Sequence, residues 1–243
     1  MLEAACLVEA GVKSPKNDDR VAMNSELIAE GSYSTTCDNH GLFAVCDGVG
    51  GKPFGYEAAE IATGMFSGLS GRELTTETIQ EYIVKANEAV LTAQKKDSFH
   101  AEMLTTIAGV YINGDDFIVF NAGDSRVYRY RNPYIMQLST DHSVWQEQID
   151  LGYEPKPKQR NEITHYLGGT SYEPAIVDGK GKVFENDMFV ICSDGVWGLL
   201  EFCDFENVLS SDKSLSEMCK NLVDLALKKG TDDNLSIIIV RRK

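Results

Sequence analysis

In GLFAVCDGVGGKPFGYEAAEIA (residues 41–62) an apolar run stops on a carboxylate, a glycine turn follows, and a helix begins. Leu42, Phe43, Ala44, Val45 and Cys46 are five consecutive apolar residues between Gly41 and Asp47-Gly48, the pattern of a buried strand ending in a turn. Gly48, Gly50 and Gly51 leave bare backbone that a ligand can approach. From Glu57 to Leu69 the sequence is rich in alanine and opens on an acid, as a helix start does. A carboxylate at the end of a core strand, with carbonyls exposed beside it, is placed to hold a hard cation.

An isolated Asp-Gly is ordinarily only a turn. Here the acid recurs: Asp194-Gly195 follows the run MFVIC, Asp233-Asn234 precedes LSIIIV, Asp124 follows FIVFNAG, and Asp18-Asp19 stands before VAM. Turn chemistry alone would mix Gly, Asn, Ser and Asp at such places. Five expected strands each carry an acid at one end, which points to a common site.

With 243 residues and 43% hydrophobic content the chain can bury a large core, and one domain spanning residues 1–243 is expected. A net charge of −14 argues against nucleic acid or an anionic membrane as partner, since both call for basic patches. No apolar run approaches the roughly 18 residues that span a bilayer, and MLEAACLVEAG lacks a charged leader region. A cytoplasmic monomer is the expectation. The six cysteines form no CxxC pair, and three sit in apolar runs as small hydrophobes.

Residues 4–9 and 21–28 read as two strands joined by a polar, hairpin-like connection. Residues 77–96 repeat Ile79, Ile83, Ala86 and Val90 at helical spacing behind a threonine cap at Thr75 or Thr76. Residues 104–138 read as an antiparallel meander with turns at Asn113-Gly114 and Asn132-Pro133. A short helical piece and then a proline-containing loop follow Asp141, the composition of an exposed flap. Residues 188–192 and 235–240 are strands, and residues 215–228 an amphipathic helix. Helices and strands without strict alternation indicate an α+β fold on antiparallel sheet.

No GxSxG elbow, HExxH helix or Walker loop is present, and the four histidines are scattered. Cys46 with Lys52 faintly suggests a thiol phosphatase loop, but no arginine fork accompanies it. The oxygen-rich donor set that remains suits magnesium or manganese. A pair of such ions generates hydroxide at neutral pH and grips a phosphoryl oxygen, so hydrolysis of a phosphate ester is the favoured chemistry.

The same residues resemble, in order, the motifs of the metal-dependent protein phosphatase 2C (PP2C) type serine/threonine phosphatases in their compact bacterial form. Asn17-Asp18-Asp19 looks like the N-x-D motif, Asp47-Gly48-Val49-Gly50-Gly51 like D-G-x-G-G, and Gly55 to Ala59 like the helix start that follows it. Thr105-Thr106, Gly123 to Tyr128, Asp141-His142-Ser143, Ser193-Asp194-Gly195 and Asp233 to Ser236 follow at matching spacing. The resemblance implies two antiparallel sheets packed as a sandwich with α-helices on both faces, and a variable flap near residues 143–175. It implies that Asp19, Asp47, the Gly48 carbonyl, Asp194 and Asp233 serve a two-metal centre of Mn²⁺ or Mg²⁺ with a bridging hydroxide as nucleophile. Asp124 with Asp194 would hold a third, weaker ion. Thr105, Thr106, Ser125, Arg126 and Asn234 would brace this set, and His142 would be structural.

Two departures stand out. Bacterial relatives carry an arginine three positions before the asparagine of N-x-D, where it binds substrate phosphate; this chain has Ser14, with Lys13 and Lys16 beside it as candidate phosphate contacts. Many animal relatives carry a histidine where Val49 stands. The resemblance therefore implies a phosphatase acting on phosphoserine and phosphothreonine in proteins, opposing a kinase. The alternatives are a phosphoprotein-binding module without turnover and a phosphoesterase for small metabolites.

Overall fold

A computed structural model describes residues 1–12, 16–50, 52–156, 159–170 and 176–243. The chain begins with strands β1 (Leu2–Glu9), β2 (Arg20–Met23), β3 (Glu26–Ile28), β4 (Gly31–Cys37) and β5 (His40–Cys46), then helices α1 (Gly55–Ser67) and α2 (Thr76–Gln94). Strands β6 (Ile107–Asn113), β7 (Asp116–Ala122), β8 (Arg126–Arg131) and β9 (Tyr134–Gln137) lead to a short helix α3 (Val144–Asp150). The last part comprises β10 (Ile176–Lys182), β11 (Met188–Cys192), α4 (Asp194–Trp197), α5 (Phe202–Leu209), α6 (Leu215–Lys229) and β12 (Leu235–Arg242).

These strands build two six-stranded sheets, ordered β4-β1-β12-β11-β8-β9 and β10-β7-β6-β5-β2-β3, with every pairing antiparallel. Their inner faces meet in a core that includes Val8, Phe43, Val45, Val110, Val119, Ile191 and Ile238. The Phe117 and Phe189 rings touch edge to face across it at 5.0 Å between centroids. On the outer face of the second sheet, Leu42, Ala44 and Cys46 pack with Ala58, Ala62, Phe66, Ile79 and Ile83 of α1 and α2. On the first sheet, Ile237 and Ile239 pack with Val196, Phe205, Met218 and Leu222 of α4 to α6. Both faces of β5 and β12 are thus covered, which is why those strands are continuously apolar instead of alternating. The expected α+β sandwich with helices on both faces is the architecture found.

Two local expectations need correction. Residues 4–9 and 21–28 are not a hairpin: β1 pairs with β4 and β12 in the first sheet, while β2 pairs with β3 and β5 in the second. Asn24, at φ 56°, turns the chain between β2 and β3, so residues 21–28 are two strands. The expected meander also divides, since β6 and β7 pair in the second sheet and β8 and β9 in the first. The link from β7 to β8 carries the chain from one sheet to the other, and Asp124 lies in it.

Close backbone approach fixes the loops that leave this edge. A Cβ on Gly48 would sit 2.5 Å from the carbonyl carbon of Gly55, and one on Gly195 would overlap the carbonyl oxygen of Asn234. Gly195→Ala should therefore force the α4 and β12 entrances apart and destabilise the protein by about 1–3 kcal/mol, the usual range for overpacking. Urea denaturation measures this, and an unchanged midpoint would show that the loop yields freely.

Candidate metal centre

The sheet topology explains how residues far apart in sequence meet. β2 and β5 are antiparallel neighbours with Arg20 opposite Cys46, so Asp19 at the entrance of one strand lies beside Asp47 at the exit of the other. β11 and β12 are antiparallel neighbours with Cys192 opposite Ile237, which sets Asp194 beside Asp233 by the same logic. Asp124 arrives on the link between the sheets. A cavity of about 170 Å³ at this edge is lined by Asp47, Asp124, Asp194 and Asp233, with Asn161 and Ile163 closing one side. Asp19 is fully buried behind them.

Carboxylates so placed disfavour one another's charge. Burial pushes Asp47 well above the usual carboxylate range, and the charges of Asp19, Asp194, Asp124 and Asp233 push it further. Burial, then Asp194 and Asp141, raise Asp124 to about 8. Burial likewise raises Asp194 to about 6, with Asp233 adding to it. Asp19 stands at about 7: burial lifts it, nearby serine hydroxyls restrain it, and Asp194 opposes its ionisation. The Ser193 hydroxyl donates to Asp19 Oδ2 at 2.9 Å, whereas Oδ1 is buried with no hydrogen-bond partner. An orphaned buried carboxylate oxygen within a group of acids is the donor chemistry a hard divalent cation fits. The same charges, with burial foremost, push the Cys46 thiol far up, so the cysteine is a core residue and no nucleophile.

The residues expected to brace the cluster do so. Thr106 Oγ1 accepts from the Asp47 amide at 3.1 Å, the Thr105 hydroxyl donates to the Asp47 carbonyl at 2.9 Å, and Thr106 and Ser125 hydroxyls share a hydrogen bond of 2.8 Å. Asn234 ties three segments: its Oδ1 accepts from the Asp18 amide at 2.9 Å, and its Nδ2 donates to the Ala10 and Lys16 carbonyls at 2.7 and 3.1 Å. The Gly48 amide reaches the Asp18 carbonyl at 3.3 Å. His142 accepts at Nδ1 from the Gly123 amide at 3.3 Å and is pushed down to about 4 by burial and by the neighbouring His165. That contact makes it a support of the Asp124 turn.

Lys16 lies in the loop before Asp19 and lines a separate, adjoining cleft with Arg20 and Tyr56. Lys13, Ser14 and Gly51 lie outside the described residues, as do residues 157–158 and 171–175 of the expected flap.

Sequence reasoning named Arg126 as a brace but missed Trp197, the aromatic wall on which it stacks. Arg126 grips Asp141 with Nε and Nη2, the shortest contact being 2.6 Å, and its guanidinium lies 3.3 Å from the Trp197 ring centroid. Trp197 Nε1 donates to the Asp124 carbonyl at 3.0 Å. Arg160 Nη2 donates to the Gly198 carbonyl at 2.9 Å, and its charge favours ionised Asp194. The signal available was GVWGLL directly after Asp194, where a tryptophan stands beside a functional acid.

Comparisons with known proteins identify the family and the fold. The sequence model of the family described as "Protein phosphatase 2C" matches residues 30–237. The chain is 27% identical over 225 residues to the serine/threonine phosphatase stp of Listeria monocytogenes, covering 84% of this chain and 86% of that protein. Its fold superposes with a TM-score of 0.87 on the crystal structure of the serine/threonine phosphatase Stp1 from Staphylococcus aureus, at 22% identity over 100% of this chain and 96% of the other. It superposes with a TM-score of 0.82 on the catalytic domain of the serine/threonine phosphatase PstP in complex with two manganese ions, at 21% identity over 99% of each chain.

The raised carboxylates make stability depend on pH. Near pH 4 the unfolded chain releases these protons while the folded chain retains them, so the folded state binds more protons and stability falls as pH rises, until the folded groups ionise at about 8. His142 acts oppositely, but only between about pH 4 and its unfolded value near 6.5. In chelator, the Tm should therefore drop by several degrees between about pH 6.5 and 8, and added Mn²⁺ should raise the Tm more at pH 8 than at pH 6.5. A flat profile in calorimetry would mean the acids do not oppose one another as described.

Proposed function

The chain belongs to the protein phosphatase 2C family, and on that premise we propose that it removes phosphate from phosphoserine and phosphothreonine in proteins at a dinuclear metal centre. Asp19, Asp47, the Gly48 carbonyl, Asp194 and Asp233 hold two ions, directly or through water, and Asp124 with Asp194 holds a third. Manganese is favoured by its presence in the PstP relative, and magnesium suits the same oxygen donors. Divalent cations bound there supply water activation at neutral pH and positive charge for the transferring phosphoryl group.

The observation that carries the reading is the convergence of Asp47, Asp124, Asp194 and Asp233 on one cavity with Asp19 buried behind. Five acids held together against their repulsion make sense as ligands and little sense as a binding surface without turnover. Within this reading the protein's own groups orient and exclude. Thr105 and Thr106 fix the Asp47 backbone, Ser193 fixes one Asp19 oxygen, and Trp197 holds the Asp124 carbonyl. Asn161 and Ile163 shield one side of the cavity. By their sequence positions Lys13, Ser14 and Lys16 are the candidate contacts for substrate phosphate.

The reading includes one catalytic domain spanning residues 1–243 that acts as a monomer on the products of a serine/threonine kinase. A cytoplasmic setting is supported by six cysteines that form no disulfide. Among the described residues no helix is long and apolar enough to cross a membrane.

Hydrolysis of an aryl phosphate should require added Mn²⁺ or Mg²⁺, and Asp47→Asn and Asp233→Asn should each lower kcat by roughly two orders of magnitude or more, with the fold retained by circular dichroism. Full activity in chelator, or near-parental rates in both variants, would overturn the metal mechanism. Asp124→Ala should retain two tightly bound ions by metal analysis, lose the weaker third, and turn over more slowly at saturating Mn²⁺. Equal stoichiometry and rate would reduce Asp124 to a turn residue.

A further inference from the structure

Next to the carboxylate cavity lies a cleft of about 340 Å³ whose lining includes Lys16, Asn17, Arg20, Glu30 and Tyr56. Its floor is the Tyr56 ring, which carries Lys16 Nζ at 5.6 Å and the Arg20 guanidinium at 5.8 Å from the centroid. Arg20 is held in place: Nη1 donates to the Asn17 carbonyl at 2.8 Å and the Asp19 carbonyl at 2.7 Å. Its Nε is buried without a hydrogen-bond partner, 3.6 Å from an oxygen of the exposed Glu60. Arg20 thus arrives with its conformational entropy already spent, 12% exposed and aimed along an aromatic surface.

Among the described residues the cleft and the carboxylate cavity have no lining residue in common, but the backbone between them is in direct contact. Gly55, which precedes Tyr56, packs backbone to backbone on Gly48. The Asp18 carboxylate takes a hydrogen bond from the Tyr56 amide, feels the Asp233 charge on one side, and feels Arg20 and Lys16 on the other. In a chain of net charge −14 the charged residues lining this cleft, among the described residues, are two cations and one carboxylate, Glu30.

We propose that the Lys16–Arg20–Tyr56 cleft is a specificity subsite for an acidic side chain flanking the phosphorylated residue, an inference that rests on the phosphatase reading and names its substrate class. An extended peptide advances about 3.3–3.6 Å per residue, so a cleft separated from the cavity by the Gly48–Gly55 backbone contact receives a side chain a few residues from the phosphate. Lys16 supplies a point charge, Arg20 a pinned guanidinium, and the Tyr56 ring a flat surface along which the aliphatic part of Asp or Glu lies. Acidic phosphopeptides are then the favoured substrates. Glu30 opposes the same anion and limits the preference.

The test compares two phosphothreonine peptides, identical except that Asp residues on both sides of the phosphothreonine in one are Asn in the other, with an aryl phosphate in parallel and Mn²⁺ throughout. The acidic peptide should have kcat/KM about tenfold higher, through KM, with the advantage shrinking as salt is added. Lys16→Met and Tyr56→Leu should each bring the ratio of the two peptides towards one, and Glu30→Gln should raise it. Using the ratio removes any general effect of a variant on turnover. Equal kcat/KM for both peptides in the parent protein, or a ratio that survives Lys16→Met and Tyr56→Leu, overturns the subsite. Failure of the phosphatase reading looks different, because the aryl phosphate is then not hydrolysed. In that case fluorescence anisotropy of the two labelled peptides still decides the subsite: tighter binding of the acidic peptide, lost in Lys16→Met, supports it, and equal binding overturns it.

Discussion

Repulsion among five carboxylates is the constraint around which this protein is built. Left to themselves, Asp19, Asp47, Asp124 and Asp194 would separate or protonate, burial makes both tendencies stronger, and the exposed Asp233 adds its charge beside them. They are kept together because each is attached to an element that cannot move. Asp47 continues a strand covered on both faces, Asp194 opens a helix directly after another, and Asp233 precedes the central strand β12. The price in free energy falls on the cluster, and the apolar core between and outside the sheets carries it.

Neutral side chains do much of the holding. Thr105, Thr106, Ser193 and Asn234 hydrogen-bond backbone atoms of the acidic residues or of their neighbours, and Ser125 shares a hydrogen bond with the Thr106 hydroxyl, so the carboxylate oxygens themselves are mostly left for other partners. Ser193 shows the division clearly: its Oγ donates to one Asp19 oxygen while accepting from the Ser236 amide at 3.0 Å, joining β11, β12 and the β2 entrance through one hydroxyl. A lysine or arginine in that place would neutralise the acid and exclude a cation.

The sandwich and its acidic edge were legible because buried strands leave long apolar runs and each run here stops on an acid. Residues 42–46, 188–192 and 235–240 were read correctly since both faces of these strands are covered, and α2 was read from its spacing, with Thr75 as the cap. β4 escaped notice: GSYSTTC is an edge strand with half-buried and exposed positions alternating, and its small hydroxyl residues resemble a loop. β10 escaped for a similar reason, being an edge strand interrupted by Gly179 and Gly181 with a register shift against β7. Sheet membership was also hidden. Hairpin spacing reports that two strands turn, but which of two stacked sheets receives each is decided by partners such as β12, more than 200 residues from β1 in sequence.

The placement of cations completes the argument about the site. Arg126 is bound to Asp141 and stacked on Trp197, so its charge is committed to the wall behind Asp124 and cannot serve an incoming phosphate. Arg20 is pinned by two carbonyls in the neighbouring cleft, away from the carboxylate cavity. A doubly charged phosphate approaching a protein of net charge −14 therefore depends on positive charge bound at the carboxylates. An arginine in the loop before Asp19 would grip phosphate in a fixed fork; Ser14 in that place provides no such fork. Selectivity then shifts from the phosphate, which every substrate has, towards the residues around it, which differ from one substrate to the next.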